Sequence, residues 1–121
     1  MPTVNIDINS ILTQVGSQIE SMALATASAY KDQAIAAGQL ILTDMKDDLA
    51  RWSQMLANNQ LSTDEFEVLV QSYEVEVAVA GLVQAGLAEV RAHDFGISVL
   101  NTIIDVTLKL AGQVAGQLMT K

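Results

Sequence analysis

The sequence contains no cysteine, and its single proline is Pro2. Without cysteine the chain forms neither disulfides nor thiolate metal sites, and this fits a reducing compartment, so we expect a cytoplasmic location. Proline interrupts helices because it lacks a backbone N–H, and here it occurs only at the second position. The first residues also lack a basic segment followed by an apolar stretch, so we predict no secretory signal. These absences permit long, uninterrupted helices.

Aromatic and basic residues are scarce as well. Two Phe, two Tyr and one Trp among 121 residues leave a core of Ala, Val, Ile, Leu and Met, which favours helices packed on helices over a sheet. There are 6 Lys and Arg residues against 14 Asp and Glu residues, which gives a formal net charge of −8. Because nucleic-acid binding depends on clustered cations, we expect no nucleic-acid partner, and docking on anionic lipid is disfavoured for the same reason.

One stop-and-start signal lies near the middle of the chain. Asn58 and Asn59 are of a residue type that commonly ends helices, and Ser62 followed three residues later by Glu65 has the spacing of a capping box. We therefore predict an all-α fold in which a long antiparallel helical hairpin turns at about residues 58–63. Residues 1–9 are expected to be an extended or frayed lead-in, and residues 10–121 a single helical-bundle domain.

Apolar residues in the first half repeat every eleven residues, through Ile8, Ile19, Tyr30, Ile41 and Trp52. Eleven residues in three turns nearly match the natural period of an α-helix, so this half is predicted to be one nearly straight helix. Two positions leave an alternative open. Gly38 lies at the first position and Gly96 close to the second. If the helices broke near residues 38 and 94, the chain would fold as a monomeric four-helix bundle.

The second half carries two adjacent apolar lines rather than one. A single partner helix covers one such line, and leaving the other in water forfeits free energy comparable with the net stability of a domain. We therefore expect two hairpins to associate into a four-helix bundle, with a second copy of the chain as the main partner. The residues predicted to form the oligomer contact at the apolar terminal end are Val79, Leu82, Ile97, Leu100, Ile104 and Leu108.

Acidic residues concentrate around the predicted turn. Residues 44–76 contain eight carboxylates and two cations, a net charge of −6. This end of the molecule is predicted to be a solvated acidic surface, or a docking surface for another protein. Its members are Asp47, Asp48, Asp64, Glu65 and Glu67.

The chain has one histidine, His93, and Glu89 precedes it by four residues on the same helical face. Carboxylates and imidazoles at helical spacing bind metals in ferritin-like bundles, and Asp32 from a facing helix would be the third candidate ligand. Those bundles use Glu-x-x-His on two helices, however, whereas this chain has Glu-x-x-x-His once. An ordinary ion pair between Glu89 and His93 is therefore favoured, and no metal, cofactor or catalytic residue is predicted.

The leading hypothesis from the sequence is a non-enzymatic, self-associating helical-bundle protein with a structural or protein-interaction role. A membrane-active amphipathic helical protein is one alternative, because the mean hydropathy is +0.32 and the terminal end is apolar. A membrane partner is nevertheless not expected, since the charge-free stretches fall short of the roughly 20 apolar residues of a membrane span. A ferritin-like metal-binding protein is the other alternative.

Overall fold

The structure of the protein is a computed structural model that describes the backbone of residues 7–119 and the side chains of residues 7–25 and 28–112. This part of the chain forms helices joined by short turns and contains no strand, so the all-α prediction is confirmed. The elements in order are α1 (Ile8–Ala27), a 3₁₀ turn (Ser28–Tyr30), α2 (Lys31–Ala57), α3 (Thr63–Gln71), α4 (Val75–Ala85) and α5 (Glu89–Met119). Of the predicted lead-in, residues 1–6 lie outside the described part, and Asp7 is the N-cap of α1.

The turn predicted at residues 58–63 is confirmed, and local chemistry explains it. α2 ends at Ala57, and Asn59 adopts a left-handed conformation with a φ of 59°, which asparagine tolerates better than most residues. Ser62 then caps α3: its hydroxyl accepts the Glu65 N–H at 3.1 Å, while the Glu65 carboxylate accepts the Ser62 N–H at 2.9 Å. This reciprocal pair satisfies amide groups that the start of a helix otherwise leaves without partners.

The first half of the chain is not one straight helix, contrary to the prediction. α1 ends at Ala27, the 3₁₀ turn reverses the chain, and α1 folds back along α2 so that Ile19 lies on Gly38. Folding back buries Ile11, Val15 and Ile19 completely, whereas a straight rod would leave this line without α2 to cover it. Packing therefore outweighs the tendency of the eleven-residue repeat to continue as one helix.

The breaks considered near residues 38 and 94 also lie elsewhere. Both positions are inside helices, α2 and α5, and the second half is instead interrupted at residues 72–74 and 86–88. Gly86 has a φ of 120°, a conformation that residues with a side chain rarely adopt, so α4 ends there. The chain thus covers most of its apolar lines with its own shorter helices rather than with two long rods.

α5 is the central helix and contacts α1, α2, α3 and α4. On its covered side, Phe95, Val99 and Ile103 are at most 1% exposed. One stretch of it, Glu89–Gly112, is long and apolar enough to cross a membrane by length and composition. Its 18-residue apolar window has a mean hydropathy of 1.3, and 56% of that window is buried in the bundle. The core helix of a soluble bundle has the same composition, so this stretch assigns no membrane role by itself.

Candidate functional site

The outer side of the α4–α5 pair carries an open groove of about 530 Å³. The two helices lie close together because Gly96 has no side chain: a Cβ there would be 2.7 Å from the Cβ of Val75. Residues 86–88 close one end of the pair, where Gly86 lies beside the hydroxyl of Tyr30. The residues that line the groove are Glu76, Val79, Ala80, Val83, Gln84, Glu89, Val90 and His93.

One ion pair joins the two helices at the groove. His93 Nδ1 on α5 lies 2.8 Å from Glu76 Oε1 on α4, with side chains 46% and 66% exposed. Water screens an exposed pair of this kind, and the pair is fully charged only when His93 is protonated, so its contribution to stability is small. The sequence favoured Glu89 as the partner because it lies one helical turn away. The register of α4 against α5 places Glu76 against His93 instead.

The three candidate metal ligands do not form a cluster. Glu89 and His93 both line the groove, but Asp32 lies in the exposed first turn of α2 and is not one of the lining residues. Among the side chains that the structure describes, no group of three His, Asp or Glu residues is placed to hold a metal ion. The ferritin-like alternative therefore loses the ligand set on which it depended.

Most of the residues predicted to contact a second copy lie in the core of the single chain. Four of the six are at most 4% exposed: Val79, Leu82, Leu100 and Ile104. Leu108 is partly buried against the same core, and Ile97 is 37% exposed. The prediction turned these residues outward because it gave each helix one neighbour, whereas α5 is flanked by four helices. Of this set, Ile97 is the most exposed member.

The α4–α5 pair nevertheless presents apolar side chains to solvent. Val77 and Val90 are 70% and 72% exposed. Val83 and Ile97 are each 37% exposed. Val90, His93 and Ile97 follow one another at the spacing of one helical face, and we call these three residues the α5 strip. The sequence places Val90 and Ile97 on one of the two apolar lines of the second half. It does not show which residues of that line are exposed, because tertiary packing decides which residues are covered by other helices.

The predicted acidic surface is exposed at three of its five positions, and two members have local structural roles. Asp48 pairs with Arg51 at 3.0 Å. Glu65 belongs to the capping box of α3, where hydrogen bonds from the N–H and hydroxyl of Ser62 hold the pKa of Glu65 below its usual value. The remaining members are Asp47 and Asp64, which are exposed, and Glu67, which is partly buried. This surface is therefore a solvated region with its own local bonds.

A hydrogen bond links the turn between α3 and α4 to α2. The Tyr73 hydroxyl donates to the Asp44 carboxylate at 2.6 Å. Partial burial, followed by this bond and the negative charge of Asp44, raises the pKa of Tyr73 above its usual value. The bond holds the start of α4, and hence the Glu76 end of the groove, against α2.

Comparison of the chain with models of protein families, with curated proteins and with solved structures finds no match. Function is therefore inferred from the surface that the chain's own residues form. Apolar side chains are also exposed at Leu24, Leu40 and Val68, but on the α4–α5 pair several lie on neighbouring helices beside a groove.

Proposed function

We propose that this protein is a non-enzymatic helical-bundle protein with a structural or protein-interaction role, and that it associates with itself. The observation that carries the proposal is the exposure of Val77, Val83, Val90 and Ile97 on one helix pair, beside a partly apolar groove. Single exposed apolar residues are normal on soluble proteins, but several on one helix pair, of which Val83 and Val90 line the groove, are typical of a contact surface. Since the core is covered within one chain, association adds to a bundle that is already closed.

The chemistry of the groove favours binding over catalysis. His93 is the one imidazole of the chain, and its close neighbour is the carboxylate of Glu76 rather than a hydroxyl nucleophile. Between the polar residues of the groove lie Val79, Ala80 and Val83, which offer apolar area and transfer no protons. These side chains suit a surface from which a partner excludes water.

In the same proposal the acidic surface faces solvent or a basic partner protein. Residues 44–76 carry a net charge of −6, and of their carboxylates only Glu76 lines the groove, so the others keep copies apart at the turn end and maintain solubility. Contact between copies is therefore expected away from the central turn, at the groove.

Sedimentation equilibrium from micromolar to near-millimolar protein tests self-association. We expect the mass to rise from 12.9 kDa toward twice that value as the concentration increases. Val90→Asp should move this transition to about tenfold higher concentration, because it buries a charge in the contact. The matched control is Val68→Asp on α3, where the side chain is 65% exposed outside the groove and should leave the transition unchanged. A 12.9 kDa species at every concentration contradicts the proposal.

A membrane-active protein is the second candidate, and one observation favours it. The stretch Glu89–Gly112 meets the length and composition of a membrane span, and the exposed α5 strip lies at its start. In this candidate the bundle opens and α5 binds the lipid surface as an amphipathic helix. Flotation with neutral and with anionic liposomes tests it: protein in the lipid fraction is expected, and Val90→Asp should reduce that fraction. Complete recovery in the lipid-free fraction would end this candidate.

A further inference from the structure

We infer that a second copy of the chain docks on the α5 strip in antiparallel orientation, so that Val90 of each copy packs against Ile97 of the other. The inference rests on the proposed self-association and specifies its contact. The two-fold axis of the contact passes between His93 and Asp94.

The spacing of the α5 strip makes it complementary to itself when it is reversed. Val90 and Ile97 are seven residues apart, close to two helical turns, so both lie on nearly the same line of α5. In an antiparallel pair of identical helices, the first residue of such a line faces the last residue of the same line in the other copy. His93 and Asp94 are at the midpoint, both exposed, and face each other across the axis. One contact therefore combines two apolar pairs with two pairs of opposite charge when His93 is protonated.

Charge supports a second copy as the occupant of this surface. The segment 89–98 contains Glu89, Arg91 and Asp94 besides His93, a formal charge of −1, and Glu76 of α4 brings the contact to −2, whereas the whole chain carries −8. Repulsion between two acidic copies is therefore small when they meet at this segment with their acidic surfaces pointing apart. Within each copy, Glu76 is already 2.8 Å from His93, so protonated His93 lies between its own Glu76 and the Asp94 of the other copy.

The groove leaves room for the second helix. Ala80 and Val83 line it from α4, and both have short side chains, so an incoming helix can lie beside α5 without displacing α4. The overlap of the two helices covers about ten residues, or roughly 15 Å at ~1.5 Å per residue. An interface of this length belongs to the class of small, transient contacts, so the dimer forms at high protein concentration.

Disulfide cross-linking tests the geometry cleanly because the chain has no cysteine. Chains with Val90→Cys are mixed with chains with Ile97→Cys and oxidised mildly. In the inferred contact the two sulfurs face each other, so the mixture should form the 90-to-97 covalent dimer about tenfold faster than either variant alone. In a dimer of one variant, the two cysteines would lie roughly 10 Å apart along the helices, beyond the reach of a disulfide. Both positions are exposed, and far-UV circular dichroism checks that each variant is folded.

Val68→Cys on α3, at a side chain 65% exposed, is the matched control and should cross-link slowly through random collisions, alone or mixed with either variant. Equal rates in the mixture and in the Val90→Cys sample alone would overturn the antiparallel contact. Sedimentation of the unmodified chain separates this inference from the proposed function. Dimers without 90-to-97 cross-linking support self-association and overturn this contact, whereas monomers without cross-linking overturn both.

Discussion

Replacing Gly96 with alanine tests the close approach of α4 and α5, on which the groove depends. An alanine Cβ at this position would lie 2.7 Å from the Cβ of Val75 and 3.1 and 3.2 Å from its two Cγ atoms. The Val75 Cβ is attached directly to the backbone of α4, so no change of rotamer relieves the overlap, and the two helices must move apart. Gly81 in α4 is the matched control, because nothing lies within 4 Å of a Cβ built there.

The two substitutions have opposite expected signs. In the interior of a helix, alanine is more favourable than glycine by about 1 kcal/mol, and this gain applies at both positions. Overpacking a filled site costs about 1–3 kcal/mol, and the rigid contact with Val75 puts Gly96 in the upper part of that range. Gly96→Ala should therefore lower the free energy of unfolding by about 1–2 kcal/mol, whereas Gly81→Ala should raise it by about 1 kcal/mol.

Urea unfolding followed by far-UV circular dichroism measures both changes, since loss of helix gives a large signal in an all-α protein. Thermal unfolding should agree, with a shift in Tm of about 4 °C for each kcal/mol in a domain of this size. If Gly96→Ala stabilised the protein as much as Gly81→Ala does, α4 and α5 would not approach as closely as the groove requires, and the reasoning would be refuted.

Three further substitutions have expected outcomes in the same unfolding assays. Gly38→Ala should lower the free energy of unfolding by about 1 kcal/mol, because its Cβ would lie 2.6 Å from the Cγ2 of buried Ile19. Ser62→Ala should cost about 1 kcal/mol by removing the N-cap of α3. Tyr73→Phe should cost about 1 kcal/mol near neutral pH by removing the bond to Asp44. Folding raises the pKa of Tyr73, so this stabilisation is fully present below the ordinary tyrosine pKa of about 10. In the wild type it is lost as the pH rises through the higher folded value. Tyr73→Phe has no phenol to ionise and should not show this loss.

Each of these expectations has a contradicting result. An increase in stability on Gly38→Ala would show that Ile19 moves aside at little cost. Thr63→Ala changes the neighbouring residue without removing the cap. If it lowered the free energy of unfolding as much as Ser62→Ala does, the Ser62 cap would not be the cause of the loss. If the free energy of unfolding of Tyr73→Phe fell at alkaline pH as that of the wild type does, ionisation of Tyr73 would not be linked to folding.

Short-range chemistry explains why the central turn was predictable and the first reversal was not. Ser62 and Glu65 act on each other across three residues, so their role is visible in the sequence. The reversal at Ser28–Tyr30 has no comparable marker, since residues 21–30 contain neither glycine nor proline and are rich in alanine. It arises because Ile11 and Ile19 are buried when α1 packs on α2, and that gain depends on residues far along the chain.

The sequence predicted some residues of the candidate site, but not which carboxylate lies beside His93. Glu89 and His93 were singled out from their spacing, whereas Glu76 reaches His93 through the register of α4 on α5. Gly86 holds a signal that could have located this pair. After it, the Leu87 N–H donates to the Leu82 carbonyl at 3.0 Å, and Leu87 is buried, which is the glycine-plus-apolar pattern of a helix C-terminus.

The fraction of buried residues decreases along α5 toward its start, and this decides how strong self-association can be. From residue 99 to residue 107 seven of nine residues are buried, whereas from residue 89 to residue 97 only three of nine are, and one of these three is Gly96. Uncovered apolar surface therefore remains on one segment of α5, at Val90 and Ile97, and not along the whole of the predicted apolar line. The free energy of so small a contact must also offset the lost freedom of two molecules. A weak dimer, favoured where the protein is concentrated, is consequently the assembly that this surface supports, and an obligate dimer is not.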